Sequence, residues 1–490
     1  MDQPPRLGPW AAGLLVFGSS GAVLVVELAS LRLLAPYLGL TLETNTLVIA
    51  LALAAIAAGS WLGGLAADRH PPRSTLGPLL GISGGAVALL PAAVRWAGAT
   101  GDLGVVQLTA MAAIALPAAL LSAVTPMVTK LRLTDLDETG AVVGRLSGVG
   151  TVGAIVGTVL TGFVLVSLVP VSAILVGLGI VLVVSAVVVD AGVRGWRART
   201  GAAAAVVIGG LAVVAAPGGC DVETTYHCVV VQSDPERGSG RILVMDGIRH
   251  SYVDLDDPTH LEFAYIRAMA AVIDTAYAAG EPLRAYHLGG GGLTLPRYLD
   301  MARPGTDSLV SEIDPGVVDL DIERLGLRTG DGIEVRVEDG RAGLRRLLAA
   351  GQDLVVGDAF GGVSVPFHLT TVEALADIRR VLASGGLYVA NLIDHPPLGF
   401  ARAAVRTLTE TFDQVALAAH PATLAGEDGG NLVVAAGDRT IDVAAWQAQL
   451  DERDTGWSVI EGDELGAWIG DAALLRDDYA PVDQLLNPYG

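Results

Sequence analysis

Four consecutive glycines, Gly289, Gly290, Gly291 and Gly292, separate the short apolar run RAYHL from the helical pattern LTLPRYL. Backbone this bare lets a nucleotide's sugar or phosphate lie directly against the chain. Twenty-three residues after Gly289, a second apolar run ends in SEID, with Glu312 and Asp314. An acid at that place can accept hydrogen bonds from both ribose hydroxyls. A third run ends in VEDGR, where Glu338 and Asp339 suit an adenine amino group. A fourth ends in GDAF, which sets Asp358 at the rim of the same crevice. Glycine and aspartate also close ordinary turns. Four successive strand ends, each with such a device, point instead to one nucleoside site.

The elements that must position these residues are legible as alternating strands and helices. RAYHL, DSLVSEID, IEVRVEDG, DLVVGDAF, GLYVANLI, QVALAAH and NLVVAAG read as strands with helical segments between them. That alternation predicts a largely parallel, doubly wound sheet. Such sheets bind ligands outside the carboxyl ends of the strands, where the strand order reverses. Upstream, HCVVVQSD, GRILVMDG and HSYVDLDD predict a small antiparallel sheet over 223–257. A helix follows in PTHLEFAYIRAMAAVIDTA.

The rest of the chain is of another kind. Residues 1–217 carry 11 Lys/Arg and 9 Asp/Glu, whereas residues 218–490 carry 20 and 43, a net of +2 against −23. The first part holds apolar runs near 9–34, 46–67, 76–94, 103–128, 146–169, 171–189 and 202–216, each about long enough to cross a bilayer as a helix. We therefore expect a membrane α-helical bundle of about seven spans, followed by an α/β domain of the Rossmann-like, class I methyltransferase kind with a small N-terminal β-sheet. The expected divisions are a multi-pass domain over 1–217, a β-rich subdomain and connecting helix over 218–275, the nucleoside-binding domain over 276–440, and a helical extension and tail over 441–490. The basic stretches DRHPPR, KLRL with Arg145, and RGWRAR fall in alternate loops, which puts them and the N-terminus in the cytoplasm. Arg95 is the exception. Seven spans leave the acidic part outside the cell membrane; six would keep it inside. Within the spans, Glu27 and Arg32 are either functional charges or an interfacial pair, and GAIVG at 153–157 fits a small-residue helix contact.

The motifs HLGGGGLTLPRYL, SEIDPGVVDL, VEDGRAGLRR, DLVVGDAF and PFHLTTVEALADIRRVLASGGLYVANLI resemble the polyamine aminopropyltransferase (spermidine synthase) family over about residues 223–440. With the membrane part, the chain resembles the multi-pass fusion form of that family. The resemblance implies transfer of an aminopropyl group from decarboxylated S-adenosylmethionine to a di- or polyamine such as putrescine. The sulfonium compound is a co-substrate, and neither a prosthetic group nor a metal is implied. Asp358 corresponds to the catalytic aspartate, which takes a proton from the attacking amine. The nucleoside-binding residues would be Gly289, Gly290, Gly291, Glu312, Asp314, Glu338, Asp339, Gly340 and Pro366, with His227 in place of the family's usual Gln.

The chain also departs from the family. Gly292 replaces an Asp, Gly361 and Gly362 stand where a second acid follows the catalytic one, and Ile266 replaces a His. The missing acids would grip the amine. DLDDP at 254–258 or the RDDYAPVD tail are substitutes. A domain that binds a nucleoside or polyamine without turnover, in a transport or sensor protein, is the alternative, as is a methyltransferase using S-adenosylmethionine. The implied partners are an amine, a nucleoside sulfonium and the lipid bilayer, with no nucleic acid; a homo-oligomer is left open. The two cysteines, Cys220 and Cys228, flank the first β segment. A bridge between them would require an oxidising compartment, in accord with seven spans.

Overall fold

The computed structural model describes residues 7–487 apart from 39–41, 101, 134–135, 195–218, 329, 331 and 363. The chain divides into two compact units, Met1–Cys228 and Val229–Gly490.

The first unit is helical: α1 (Pro9–Leu38), α2 (Leu42–Arg69), α3 (Pro72–Ala99), α4 (Leu103–Ser122), α5 (Val124–Arg132), α6 (Thr139–Leu160) and a helix over Val171–Arg194. Six stretches among the described residues are long and apolar enough to cross a membrane, with α4 and α5 forming one of them. The seventh run, 202–216, lies outside the described residues. Side chains are small where helices meet. A Cβ on Gly153 would lie 2.2 Å from the carbonyl oxygen of Phe17, and one on Gly157 would lie 2.6 Å from that of Gly21. Thus GAIVG is the seam between α6 and α1. Gly84 and Gly179 bring α3 and the Val171–Arg194 helix together in the same way. This is the close backbone approach that apolar surroundings reward when no hydrophobic force separates helix from lipid.

The two ends of this bundle differ. Arg69 and Lys130 with Arg132 close the last turns of α2 and α5, and Arg73 opens α3. At the far end of α3, ~33 Å along its axis, Arg95 donates to Glu223 at 2.9 Å and to Ser172 at 2.8 Å. Glu223 also accepts from the Ser172 hydroxyl at 2.6 Å. The exception in the charge pattern is therefore neutralised by a residue 128 positions later. Arg32, near the end of α1, donates to the carbonyl of Tyr226 at 3.1 Å and lies 4.8 Å above its ring. Glu27 is buried, 9% exposed. Cys220 and Cys228 form a disulfide with a Cα–Cα separation of 5.1 Å. The segment holding Glu223, Tyr226 and this disulfide is thus fastened at the end of the bundle remote from the basic turns.

In the second unit, β2 (Cys228–Ser233), β3 (Gly240–Met245) and β4 (Ile248–Asp254) form antiparallel pairs, preceded by the two-residue strand β1 (Val222–Glu223) in the first unit. A buried helix, Ala264–Ala276, leads into the main sheet. Its strands are β5 (Arg284–Leu288), β6 (Asp307–Glu312), β7 (Ile333–Val337), β8 (Gln352–Gly357), β9 (Leu382–Asp394), β10 (Gln414–Ala419), β11 (Gly430–Gly437) and β12 (Ser458–Glu461). They lie in the order β12-β10-β11-β9-β8-β5-β6-β7. Neighbours from β9 to β7 are parallel, and the pairs β9–β11, β11–β10 and β10–β12 are antiparallel. The expectation of a largely parallel sheet holds for five strands. Apolar side chains fill both faces. Tyr286, Val355, Phe400 and Leu417 lie in one cluster, and Met269, Ala285, Val356 and Trp446 in the other. The indole of Trp446 is fully buried and satisfies its N–H on the carbonyl of Ala268 at 3.1 Å.

Candidate active site

The chain runs outward from β5 to β6 to β7, then returns to the other side of β5 as β8. The strand order therefore reverses between β5 and β8, and a crevice opens at their carboxyl ends. Gly289 follows β5, and Asp358 follows β8. The amide of Asp358 donates to the carbonyl of Leu288 at 2.9 Å. Gly289 has φ of +91°, and a Cβ there would meet the carbonyl oxygen of Asp358 at 2.5 Å. The glycine loop and the candidate base are thus backbone neighbours.

Glu312 ends β6 beside the same loop and is 9% exposed. Its Oε2 accepts from the amides of Gly290 and Gly291 at 2.9 and 3.3 Å, and its Oε1 accepts from the amide of Asp314 at 2.9 Å. Bare loop amides and a carboxylate are therefore organised together. Asp314 is fully buried and caps the helix Pro315–Glu323 by accepting from the Gly316 amide at 2.9 Å. Asp339 caps the helix Gly340–Arg346 through the Ala342 amide at 2.8 Å and meets His368 at 3.0 Å. Glu338 accepts from the Ser311 hydroxyl at 2.9 Å and pairs with Arg346. The carbonyl of Gly340 accepts from Tyr286 at 2.8 Å. Pro366 precedes a short turn of helix and accepts from the Leu369 amide at 2.9 Å. His227 belongs to the first unit, where its backbone closes a turn with Thr224.

Asp358 is held by residues that the sequence reading did not single out. Asn391 of β9 donates Nδ2–H to its Oδ1 at 3.0 Å, and the Tyr265 hydroxyl also reaches the carboxylate. Burial pushes the Asp358 carboxyl up to about 6, opposed by the hydrogen bonds of Asn391 and Tyr265. Asn391 is an amide in an otherwise apolar, buried strand, and that isolation was its signal in the sequence. Tyr265 gave none, because an aromatic at the start of an amphipathic helix reads as core.

One departure from the family pattern, Gly292, has a physical reason. A Cβ on Gly292 would lie 2.9 Å from the Cβ of Ser251 and 3.0 Å from Val253, both on β4. The Ser251 hydroxyl also accepts from the Gly292 amide at 3.0 Å. An acid at 292 has no room. Two of the proposed substitute acids, Asp254 and Asp477, are engaged elsewhere. Asp254 pairs with Arg237 and caps the amides of Asp256 and Asp257. Asp477 of the tail is bidentate to Arg341 at 2.7 Å on each oxygen and accepts from Thr371. Arg341 holds the Asp477 carboxyl down at about 2.

No family model matches the chain. It is 30% identical over 142 residues to the polyamine aminopropyltransferase of Chromobacterium violaceum, covering 29% of this chain and 53% of that protein. It is 30% identical over 173 residues to that of Vibrio vulnificus, covering 34% and 57%. The chain thus spans about half the length of the curated relatives it matches. A probable spermidine synthase from Corynebacterium glutamicum superposes with a TM-score of 0.50 at 28% identity, over 54% of this chain and 97% of that one. With the reversal point, the glycine loop and the acids gathered around it, these likenesses lead to one conclusion: the second unit of this chain is similar in sequence and fold to the spermidine synthases, or polyamine aminopropyltransferases.

Proposed function

We propose that this protein is a membrane-anchored aminopropyltransferase that moves an aminopropyl group from decarboxylated S-adenosylmethionine to a di- or polyamine such as putrescine. The observation that carries the reading is the Asp358 carboxyl, set at the reversal point against the glycine loop and made more basic by burial. Gly289, Gly290 and Gly291 offer a surface on which a nucleoside can lie, and Glu312 offers acceptors for its ribose. The acceptor nitrogen attacks the methylene carbon next to sulfur. The carbon–sulfur bond breaks, methylthioadenosine leaves, and Asp358 accepts the ammonium proton.

The glycines at 292, 361 and 362 favour a second reading, a methyltransferase on the same fold, because they leave no acid there for a second ammonium group. Product analysis separates the two. The purified full chain is given each sulfonium donor with a panel of amines. Aminopropylated amine and methylthioadenosine support the first reading; methylated product supports the second; no product with either supports a binding protein. Glu312→Gln is expected to weaken methylthioadenosine binding ~10-fold, since one charge-assisted acceptor is lost. Equal affinity by calorimetry would count against the ribose assignment.

The reading places the catalytic unit on the outer side of the membrane. Three observations support it. The basic turns mark the cytoplasmic end, the segment carrying Glu223 and Tyr226 is fastened at the other end, and that segment holds a disulfide. Thiol labelling of intact cells tests the assignment. Cys220 and Cys228 are expected to label only after reduction, without permeabilisation. Labelling that needs permeabilisation but no reductant would overturn it.

A further inference from the structure

We propose that Asn431 is a positioning residue that sets the charge of Asp358 through Asn391; this rests on reading Asp358 as the general base. Asn391 is buried, 3% exposed, and donates from Nδ2 to Asp358 Oδ1 at 3.0 Å. Its own Oδ1 accepts from Asn431 Nδ2, also at 3.0 Å. The register of β9 and β11 pairs Asn391 with Val433 and Asn431 with Ile393. The two amides are therefore diagonal neighbours on one face of the sheet, within reach of each other.

A primary amide has a donor end and an acceptor end. Turned by half a rotation, Asn391 would present its carbonyl oxygen to the carboxylate, and two acceptors would face each other. The N–H of Asn431 removes that alternative by occupying Asn391 Oδ1. The hydrogen bond from Tyr265 is less committed. Tyr265 has one hydroxyl hydrogen, and its oxygen also lies 3.2 Å from the carbonyl of His250. When Tyr265 donates to His250, it offers Asp358 only a lone pair, which suits the protonated acid. Tyr265 is also the titratable group that faces Asp358. The Asn431–Asn391 pair is thus what keeps a committed donor on the carboxylate and holds the base ready.

The isosteric change Asn431→Asp reverses the relay, because an acceptor now faces Asn391 and turns its amide. The acid limb of the pH–rate profile is then expected to move up by ~1 unit, since a carboxyl that has lost its donor protonates at higher pH. Asn431→Leu, which neither donates nor accepts, is expected to move it in the same direction by less. Methylthioadenosine affinity and thermal midpoint serve as controls for a merely structural effect. A limb that stays in place in both folded variants overturns the proposal. So does a uniform loss of turnover at all pH with weakened nucleoside binding. Infrared difference titration of the full-length protein, with Asp358→Asn identifying the Asp358 carboxyl band, reads the same shift without turnover. An unshifted band in Asn431→Asp overturns the relay, whereas a shifted band in a protein inactive with every donor leaves the relay standing and overturns only the role of Asp358 in catalysis.

Discussion

Asp358→Asn is expected to lower turnover by ~10²–10⁴-fold while methylthioadenosine binds as tightly as before. The change removes the proton acceptor and little else. The amide keeps the volume of the carboxyl, and the loop's geometry is set by backbone contacts, Asp358 N–H to Leu288 carbonyl among them. The pH dependence follows from the same group. Burial raises its pKa to about 6, so the base is lost as pH falls through 6 and fully present well above it. The rate is expected to rise through that midpoint toward a plateau, and the rise to vanish in Asp358→Asn. Steady-state kinetics across pH, with calorimetric binding of methylthioadenosine, checks both parts. Unchanged turnover in the folded variant would remove Asp358 from the chemistry.

The second large effect is expected from Gly289→Ala. A side chain there must adopt φ near +91° and place its Cβ 2.5 Å from one backbone oxygen and 2.9 Å from the Cα of Ala359. The atoms in the way belong to the loop that carries Asp358, so relief on one side distorts the other. The left-handed conformation alone costs ~1–3 kcal/mol, and the overlap adds to it. We expect methylthioadenosine affinity to fall by more than ~10-fold, with turnover falling alongside it. Gly426→Ala is the matched control: φ is +72°, but nothing lies within 4 Å of the added carbon. Equal consequences from the two substitutions would show that strain, rather than the crevice, explains the result.

The candidate site was legible where its chemistry is local. Gly289, Glu312 and Asp358 stand at the ends of parallel strands, and each such end is written in a few consecutive residues. What escaped is non-local. Asn431 meets Asn391 only because β11 turns back antiparallel to β9, and nothing in NLVV announces that pairing. Glu223 meets Arg95 across 128 positions. The requirement for glycine at 292 comes from Ser251 and Val253 on β4, which no reading of the loop alone can supply. Asp314 and Asp339 illustrate a different ambiguity. Both cap helices, and an acid that caps is indistinguishable in sequence from one that awaits a ligand. At only four residues, β12 was too short to stand out as a strand.

The strands that bound the main sheet bear on how copies of this protein can meet. A membrane confines neighbours to two dimensions and raises the frequency of their encounters. An unprotected strand edge would then invite chain-to-chain polymerisation. One boundary is β7, five residues long, where Glu334 and Arg336 are exposed and paired at 2.7 Å. The other is β12, with four. Short strands that both carry exposed charge, Glu461 on β12 included, make poor templates for a further strand, so under the proposed membrane anchoring, crowding would not carry this unit toward open-ended sheet growth. Self-association of this unit through an isologous patch on its helices would close into a symmetric pair rather than propagate.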